Sequence, residues 1–341
     1  MTTEAPHPPL ADALAQLGGR LYPGLGAVSG LQRLSGGASQ ETWAFSFEGP
    51  GGPVPLILRR APGARVSDLA AGLETEAELL KLAQANGARV PHVRYVLTPD
   101  DQCGRGFIMD RLDGETIPRK ILRDAAFAGA RTHLARDCGE ALARIHQIDP
   151  HRLPDTLRAA PASLRLAELH RTYANIGRPN PVFALALRWL SENKPQDPTE
   201  LRLVHGDFRH GNLMIAPDGV RGVLDWELAH LGDPMEDLGW ICVPSWRFGE
   251  IDKPVGGFGQ REDLFTAYEA AGGGHVDPAR VRFWEVFGAL QWGLMCSGMA
   301  EVFRSGADAS VERAMIGRRA SEVEIDLLDY IAPLEGATHA G

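Results

Sequence analysis

Cysteine is scarce in this chain of 341 residues, and its four copies lie far apart. They are Cys103, Cys138, Cys242 and Cys296, and no two of them form a C-x-x-C pair. Zinc sites and disulfide frameworks bring cysteines together at short, regular spacings, so the sequence argues against both. Free cysteines are typical of a reducing compartment, which predicts a cytoplasmic protein.

Basic residues are also in the minority, with 35 Lys and Arg against 44 Asp and Glu and a formal net charge of -9. A general binder of nucleic acid or of anionic membranes needs a basic surface, so neither kind of partner is expected. The N-terminal residues, MTTEAPHPPLADALAQL, lack a basic region followed by an apolar core. No signal peptide is therefore predicted.

One apolar segment, residues 283–303, is about as long as a membrane span. It also carries Glu285, Gln291 and Glu301. We therefore predict that this segment is a helix buried on most sides in a large helical lobe, and we expect no membrane span.

The first third of the chain is rich in predicted strands. Apolar or alternating runs separated by Gly and Pro predict them at residues 31–34, 42–47, 55–60, 92–98 and 106–112. One prominent helix is predicted between the third and fourth strands, with Ser67 as its N-cap and its end near Ala85. These elements form a sheet-rich lobe.

From residue 117 onward the pattern becomes helical. Leu134, Cys138, Leu142 and Ile145 form one apolar stripe of a helix that ends near His146. Further helices are predicted at 165–176, 181–193, 260–272, 278–303 and 309–331, with brief strands at 201–204, 212–215 and 222–226. The predicted fold class is α+β, with a β-rich lobe over residues 1–112 and a helical lobe over residues 113–341. A cleft between two such lobes is a usual ligand site.

The most informative stretch is L-V-H-G-D-F-R-H-G-N-L-M-I at residues 203–215, followed by V-L-D-W-E at 223–227. Asp207 and Asn212 are five positions apart, and Asp225 follows thirteen residues later. A hairpin would bring Asn212 and Asp225 together, with Asp207 at the loop tip. One carboxylate to accept a proton and two oxygen ligands for magnesium are what phosphoryl transfer requires.

These motifs resemble the catalytic and metal-binding loops of the aminoglycoside phosphotransferase and choline kinase group, which are small-molecule relatives of protein kinases. The resemblance implies a protein kinase-like, two-lobed fold that binds ATP or GTP and Mg²⁺. It implies that Asp207 is the catalytic base, that Asn212 and Asp225 are the metal ligands, and that a small-molecule hydroxyl is the acceptor.

The resemblance covers about residues 31–240. Residues 34–42, L-S-G-G-A-S-Q-E-T, resemble the loop that covers the nucleotide phosphates. The third strand, L-I-L-R, ends in Arg59 where the broader group has a phosphate-binding lysine, and Glu76, more than Glu74, is its implied partner. Asp237 would brace the catalytic loop. The implied nucleotide-binding residues are Ser35, Gly36, Gly37, Ser39, Arg59, Glu76 and, at the hinge, Met109, Asp110 and Arg111.

A narrower likeness is to the kinase-like domain fused to some acyl-CoA dehydrogenases. It rests on L-S-G-G, on V-L-D-W-E-L-A-x-L-G-D-P and on the arginine-ended third strand. This likeness implies a cytoplasmic hydroxyl kinase that acts on a hydroxyacyl-CoA or a lipid-derived alcohol. Arginine stays charged and can bind phosphate through two hydrogen bonds, so Arg59 is compatible with activity.

Alternatives stay open at this point. A nucleotide-binding pseudokinase that acts as an interaction module is one, and Arg59 is the feature that allows it. A zinc hydrolase would have to use His205, His210 and His230, which lack helical H-x-x-x-H spacing, and we interpret His205 as a structural brace of its loop. An aminoglycoside is the alternative acceptor. The oligomeric state stays open, and a homodimer is one candidate.

Overall fold

The computed structural model describes residues 8–21, 27–36, 40–61 and 71–331, and the N-terminal part is built on one antiparallel sheet. The strands are β1 (Val28–Gly36), β2 (Glu41–Phe47), β3 (Val54–Ala61), β4 (Val93–Val96) and β5 (Arg105–Asp110), in the spatial order β1-β2-β3-β5-β4. Two helices accompany them, α1 (Pro8–Leu21) and α2 (Leu73–Ala85). The predicted sheet-rich lobe is confirmed.

Both faces of this sheet are covered, which explains why consecutive residues are buried in its central strands, as are Trp43, Ala44 and Phe45 of β2. Residues that alternate along β2 point to opposite faces, because the side-chain period of a strand is two. Phe45 and Phe47 pack with α1 in one apolar cluster, whereas Ala44 belongs to the main core with α2 and the helical part.

Helix α2 begins later than the sequence pattern predicts. It starts at Leu73, and Ala71 and Gly72 before it are not helical. The Ala71 amide instead donates to the carbonyl of Glu227 at 2.6 Å, so a tertiary contact determines where the helix begins. Ser67, the predicted N-cap, lies outside the described residues.

The rest of the chain is mainly helical. Its helices are α3 (Pro118–Arg123), α4 (Ala128–Arg131), α5 (Leu134–His146), α6 (Ala162–Ile176), α7 (Pro181–Glu192), α8 (Met235–Cys242), α9 (Arg261–Ala270), α10 (Pro278–Arg304), α11 (Val311–Gly317) and α12 (Ala320–Ile331). The central helix is α10, which packs against α6, α7, α8, α11 and α12. By length and composition α10 could cross a membrane, but most of its first half is buried in this lobe.

One helical prediction needs correction. The pattern at residues 309–331 predicted one helix, but the structure has two, α11 and α12. The first ends at Gly317, where a side-chain Cβ would lie 2.8 Å from the Cβ of Ala300 on α10. The other predicted helices are present with ends shifted by a few residues.

Four short strands carry the central motifs: β6 (Arg202–Val204), β7 (Leu213–Ala216), β8 (Gly219–Val223) and β9 (His230–Gly232). β7 and β8 form the predicted hairpin, in which Leu213 lies opposite Val223. β6 pairs with β9, a strand that the sequence did not predict.

A short segment joins the sheet to the helical part. It runs from the end of β5 to the start of α3, and within it Glu115 pairs with Ile215 of β7 through two backbone hydrogen bonds of 2.8 and 3.0 Å. This pairing places the hairpin directly beside the connecting segment. The division of the chain at residue 112 falls in this segment and stays a prediction.

Candidate active site

Asp207 lies on the loop between β6 and β7, and four donors surround its carboxylate. Arg209 donates through Nε to Oδ1 at 2.9 Å and through Nη2 to Oδ2 at 3.1 Å. Trp240 on α8 donates its indole N–H to Oδ1 at 2.9 Å, and Asn212 donates its amide to Oδ2 at 2.6 Å. The predicted base and one predicted metal ligand are thus in direct contact.

A fully buried carboxylate, Asp237 of α8, holds the backbone of the loop that carries Asp207. Its two oxygens accept the backbone amides of His205, at 2.7 Å, and Gly206, at 2.9 Å. Burial by itself would raise the pKa of Asp237, but the hydrogen bond from His146 at 3.0 Å and the nearby histidines hold that pKa below its ordinary value. The predicted brace is therefore seen in the structure.

His205 joins the two halves of the site. Its Nδ1 accepts the backbone amide of Asp207 at 3.2 Å, and its Nε2 lies 2.9 Å from the carbonyl oxygen of Leu224, next to Asp225. A neutral imidazole with its proton on Nε2 satisfies both contacts. This geometry agrees with a structural role for His205.

The β7–β8 hairpin brings the backbone of Asn212 to that of the Asp225 segment, because the Leu224 amide donates to the Asn212 carbonyl at 2.8 Å. Asp225 then leaves β8 with a φ of 62°. A left-handed conformation is uncommon for a residue other than glycine, and such strain often accompanies a functional site.

Arg59 at the end of β3 reaches the same point from the sheet. Its guanidinium donates to Asp225 Oδ1 at 3.0 Å and to Gln40 Oε1 at 2.9 Å, and it lies 3.2 Å from a carboxylate oxygen of Glu76. Burial opposes the charge of Arg59, but Glu76 and Asp225 together raise its pKa above the ordinary value. The pairing of Arg59 with Glu76 matches the resemblance, whereas the contact with Asp225 was not predicted.

Glu76 is almost completely buried, with 1% of its surface exposed. Burial raises its pKa to about 7, and the cation of Arg59 opposes that rise. Within the part of the chain that the structure describes, its Oε2 has no hydrogen-bond partner. Glu227, which follows Asp225 by two residues, also has a raised pKa because of burial and of the Asp225 charge.

The structure locates only part of the predicted phosphate loop. Ser35 and Gly36 end β1, where they pair with Thr42 and Glu41 of β2, so they lie at the turn between the first two strands. Gly37 and Ser39 lie outside the described residues.

At the predicted hinge, Met109 and Asp110 end β5 and Arg111 follows. The amides of Asp110 and Arg111 already donate to the carbonyls of His92, at 2.9 Å, and Pro55, at 3.2 Å. An adenine would therefore have to use other backbone groups of this segment.

The donor set suits magnesium better than zinc. An amide and a carboxylate, from Asn212 and Asp225, are hard oxygen ligands that leave room for the phosphate and water oxygens that Mg²⁺ retains. Among the described residues there is no cluster of three or more His, Cys, Asp or Glu side chains placed to hold a metal. The ring of His210 is hydrogen-bonded to the Gly256 carbonyl, and His230 Nε2 lies 3.2 Å from a carboxylate oxygen of Glu236, so each ring has a protein partner.

Sequence reasoning missed three residues of the site: Arg209, Trp240 and Gln40. Arg209 could have been found, since a cation two positions after Asp207 must lie on the same loop. Trp240 is 33 residues from Asp207 in the chain, and Gln40 is 19 residues from Arg59, so it is tertiary packing that brings each residue into contact with its partner.

A five-stranded antiparallel sheet, a helical lobe and this loop together define a small-molecule kinase fold, and comparison with known proteins identifies the family. Residues 30–284 match the family described as "Phosphotransferase enzyme family". The chain belongs to that family.

Among related sequences, a probable acyl-CoA dehydrogenase of Arabidopsis thaliana is 27% identical over 304 residues, which cover 81% of this chain and 37% of that protein. The chain therefore spans little more than a third of that relative's length. The dehydrogenase name describes a much longer protein.

Solved structures agree on the fold. A candidate aminoglycoside phosphotransferase from Ralstonia eutropha superposes with a TM-score of 0.73 at 22% identity, covering 94% of this chain and 97% of that one. A thermostable mutant of aminoglycoside phosphotransferase APH(4)-Ia, in a ternary complex with AMP-PNP and hygromycin B, gives 0.59 at 17% identity, covering 96% and 100%. Identities this low establish a shared architecture only.

Proposed function

We propose that this protein transfers the γ-phosphoryl group of ATP, or GTP, to a hydroxyl group of a small molecule. The observation that carries the proposal is the contact of Asp207 with Asn212 on one loop, with Asp225 beside them and Arg59 facing Asp225 from the sheet. These are the base, the metal ligands and the phosphate-binding cation that the reaction requires. The nucleotide bound to a structural neighbour supports ATP as the donor.

In the proposed mechanism, Asp207 accepts a hydrogen bond from the acceptor hydroxyl and takes its proton as the oxygen attacks phosphorus. A bond forms between that oxygen and the γ-phosphorus, the bond from phosphorus to the bridging oxygen breaks, and the nucleoside diphosphate leaves. Asn212 and Asp225 would hold Mg²⁺, which supplies charge neutralisation at the phosphate oxygens. Arg59, held by Glu76, would bind phosphate, so catalysis comes mainly from positioning and electrostatics.

For the acceptor we propose a hydroxyacyl-CoA or another lipid-derived alcohol. The support is the kinship with much longer proteins named acyl-CoA dehydrogenases, in which a kinase-like part and a dehydrogenase part share one chain. An aminoglycoside is the alternative, and the hygromycin B in a structural neighbour supports it by fold alone. We further propose that the protein is cytoplasmic, and that a homodimer is one form it can take.

The direct test is Mg²⁺-dependent nucleotide turnover with a library of hydroxy compounds that includes hydroxyacyl-CoA thioesters and aminoglycosides. Wild type is compared with Asp207→Asn, which keeps the size of the side chain and removes the base. Transfer by the variant at the wild-type rate, in a protein with an unchanged circular dichroism spectrum, would refute the assignment.

The second candidate is a nucleotide-binding pseudokinase. The contact that favours it is the direct one between Arg59 and Asp225, because a cation already neutralises the carboxylate that a metal would need. Tight binding of Mg–nucleotide without phosphorylation of any acceptor would support this candidate.

A further inference from the structure

We propose that Arg209 is a movable phosphate-binding residue. In the protein without nucleotide its guanidinium is hydrogen-bonded to the Asp207 carboxylate. When a nucleoside triphosphate binds, the guanidinium leaves Asp207 and binds the γ-phosphate. The inference rests on the proposed phosphoryl transfer and adds a residue that the family resemblance did not supply. It follows from the number of hydrogen-bond donors around Asp207, from how freely each donor side chain can move, and from the distance between Asp207 and the reacting phosphate.

The carboxylate of Asp207 has no free acceptor position in this arrangement. Oδ1 accepts from Arg209 and Trp240, and Oδ2 accepts from Arg209 and Asn212. An ionised carboxylate offers about four lone-pair positions, so all of them are used. Asp207 can accept the hydrogen of an incoming hydroxyl only after one of these donors has left.

Trp240 is not free to leave. Its side chain is buried, its ring packs edge-on against Trp246 at a centroid distance of 5.3 Å, and Gly288 of α10 also lies against the ring. A Cβ at Gly288 would come within 2.8 Å of the Trp240 ring, so the fit is tight. Moving this side chain would disturb the contact between α8 and α10.

Asn212 is held in the same way by its surroundings. The side-chain amide nitrogen of Asn212 also donates to the backbone carbonyl of Asp207 at 2.9 Å. The backbone carbonyl of Asn212 accepts the backbone amide of Leu224 at 2.8 Å. Asn212 can therefore supply its amide oxygen to a metal while it stays close to Asp207.

Arg209 differs from both because it is long, flexible and partly exposed, with 29% of its side chain open to solvent. Its guanidinium carbon lies 4.8 Å above the ring of Trp246, and its Nη1 donates to the His210 carbonyl. The guanidinium can shift over this aromatic face and still keep part of its cation–π interaction with the ring. Arg209 is thus the donor whose departure from Asp207 costs least.

The phosphate is within reach of such a shift. A hydroxyl bonded to Asp207 lies about 3 Å from it, and phosphorus lies about 3–3.5 Å beyond in a near-attack geometry. A guanidinium already bonded to Asp207 therefore moves only a few ångströms to meet γ-phosphate oxygens, which bind arginine through paired hydrogen bonds. The same movement frees Asp207 for the hydroxyl.

The first test measures the affinities of Mg–AMP-PNP and Mg–ADP by calorimetry for wild type, Arg209→Gln and Arg209→Lys. Because Arg209 would contact only the γ-phosphate, wild type should prefer AMP-PNP, and the Gln variant should lose about 10-fold or more of that preference, as expected for one charged hydrogen bond. The Lys variant should keep part of it. An unchanged AMP-PNP to ADP ratio in the Gln variant would overturn the proposal.

The second test follows the arginine through its aromatic neighbour. Protein labelled with 5-fluorotryptophan is titrated with each nucleotide, and the Trp246 fluorine signal is assigned with Trp246→Phe. We expect that signal to shift with Mg–AMP-PNP and to stay in place with Mg–ADP, and we expect Arg209→Gln to abolish the difference. Equal shifts with both nucleotides in wild type would contradict a movement triggered by the γ-phosphate.

These readouts separate the two proposals. Loss of the AMP-PNP preference in Arg209→Gln, in a protein that phosphorylates no acceptor, would support the role of Arg209 and reject only the kinase activity. Failure of wild type to bind either nucleotide would reject both. If Arg209→Gln does not fold, the Lys variant decides, since wild-type selectivity in it would overturn the proposal.

Discussion

Both terminal nitrogens of Arg59 lie 3.0 Å from one oxygen of Asp225, across 166 residues of chain. The contact joins the end of β3 to the residue that follows the β7–β8 hairpin. It therefore ties the sheet-rich lobe to the predicted metal ligand Asp225 through one ion pair, and Glu76 of α2 completes the group, 3.2 Å from Arg59.

The ion pair between Arg59 and Glu76 leads to a prediction about stability. Arg59→Met leaves the Glu76 carboxylate buried without its cation, which should cost about 3–5 kcal/mol of the free energy of unfolding. The double variant Arg59→Met/Glu76→Gln should recover much of that loss, because the fully buried Glu76 charge is then absent. Urea unfolding at pH 8 of the two single variants and the double variant measures it. Strictly additive losses would contradict the predicted coupling.

His210 leads to a prediction about acid stability. Burial lowers the pKa of His210 to about 4, from an ordinary value of 6.5. The unfolded chain therefore binds a proton that the folded protein does not, and the stabilising contribution present above pH 6.5 is lost as the pH falls towards 4. The slope from this residue is at most about 1.4 kcal/mol per pH unit.

The measurement is the free energy of unfolding of wild type and His210→Gln between pH 4.5 and 7. As the pH falls, the free energy of unfolding of wild type should decrease more than that of His210→Gln. Groups common to both proteins, including the buried Glu76, cancel in this difference. Parallel pH profiles would show that His210 is not responsible.

Asp237 leads to a prediction about the loop that carries Asp207. Asp237→Asn removes one of the two oxygens that accept the amides of His205 and Gly206, and each buried donor left without a partner costs about 1–3 kcal/mol. We expect the rate of phosphoryl transfer to fall by about 100-fold, in keeping with that energy, while nucleotide affinity changes little.

Tyr268→Phe is the matched control for Asp237→Asn. The Tyr268 hydroxyl contacts His146 Nδ1 at 2.9 Å, and His146 in turn contacts Asp237, so it lies one step further from the loop. Single-turnover kinetics and nucleotide titration compare the two variants. A larger rate loss in Tyr268→Phe than in Asp237→Asn would argue against the brace.

Two glycines provide a test of how α8 and α10 pack. A Cβ at Gly239 would lie 2.6 Å from the Cβ of Trp284, whereas a Cβ at Gly298 of α10 meets nothing within 4 Å. Gly239→Ala should therefore lower the free energy of unfolding by about 1–3 kcal/mol through overpacking. Gly298→Ala should raise it by up to about 1 kcal/mol through helix propensity. Thermal unfolding of both variants measures the difference in sign.

Local features of the chain were readable from the sequence. Short apolar or alternating runs between Gly and Pro predicted β2, β3 and β5, because such patterns appear directly in the order of residues. The contact of Asp207 with Asn212 and the hairpin that carries Asp225 span fewer than twenty residues. Turn geometry over so short a distance leaves few arrangements, and the motif then pointed to phosphoryl transfer.

Contacts between distant segments were decided by the tertiary structure. The start of α2 follows from a hydrogen bond between Ala71 and Glu227, and the partners of Arg59 and Asp207 include Asp225 and Trp240, which lie far away along the chain. Residues 309–331 have one helical period, yet the packing of Gly317 against α10 divides them. Such contacts depend on how whole elements pack, so neither periodicity nor spacing within one segment reveals them.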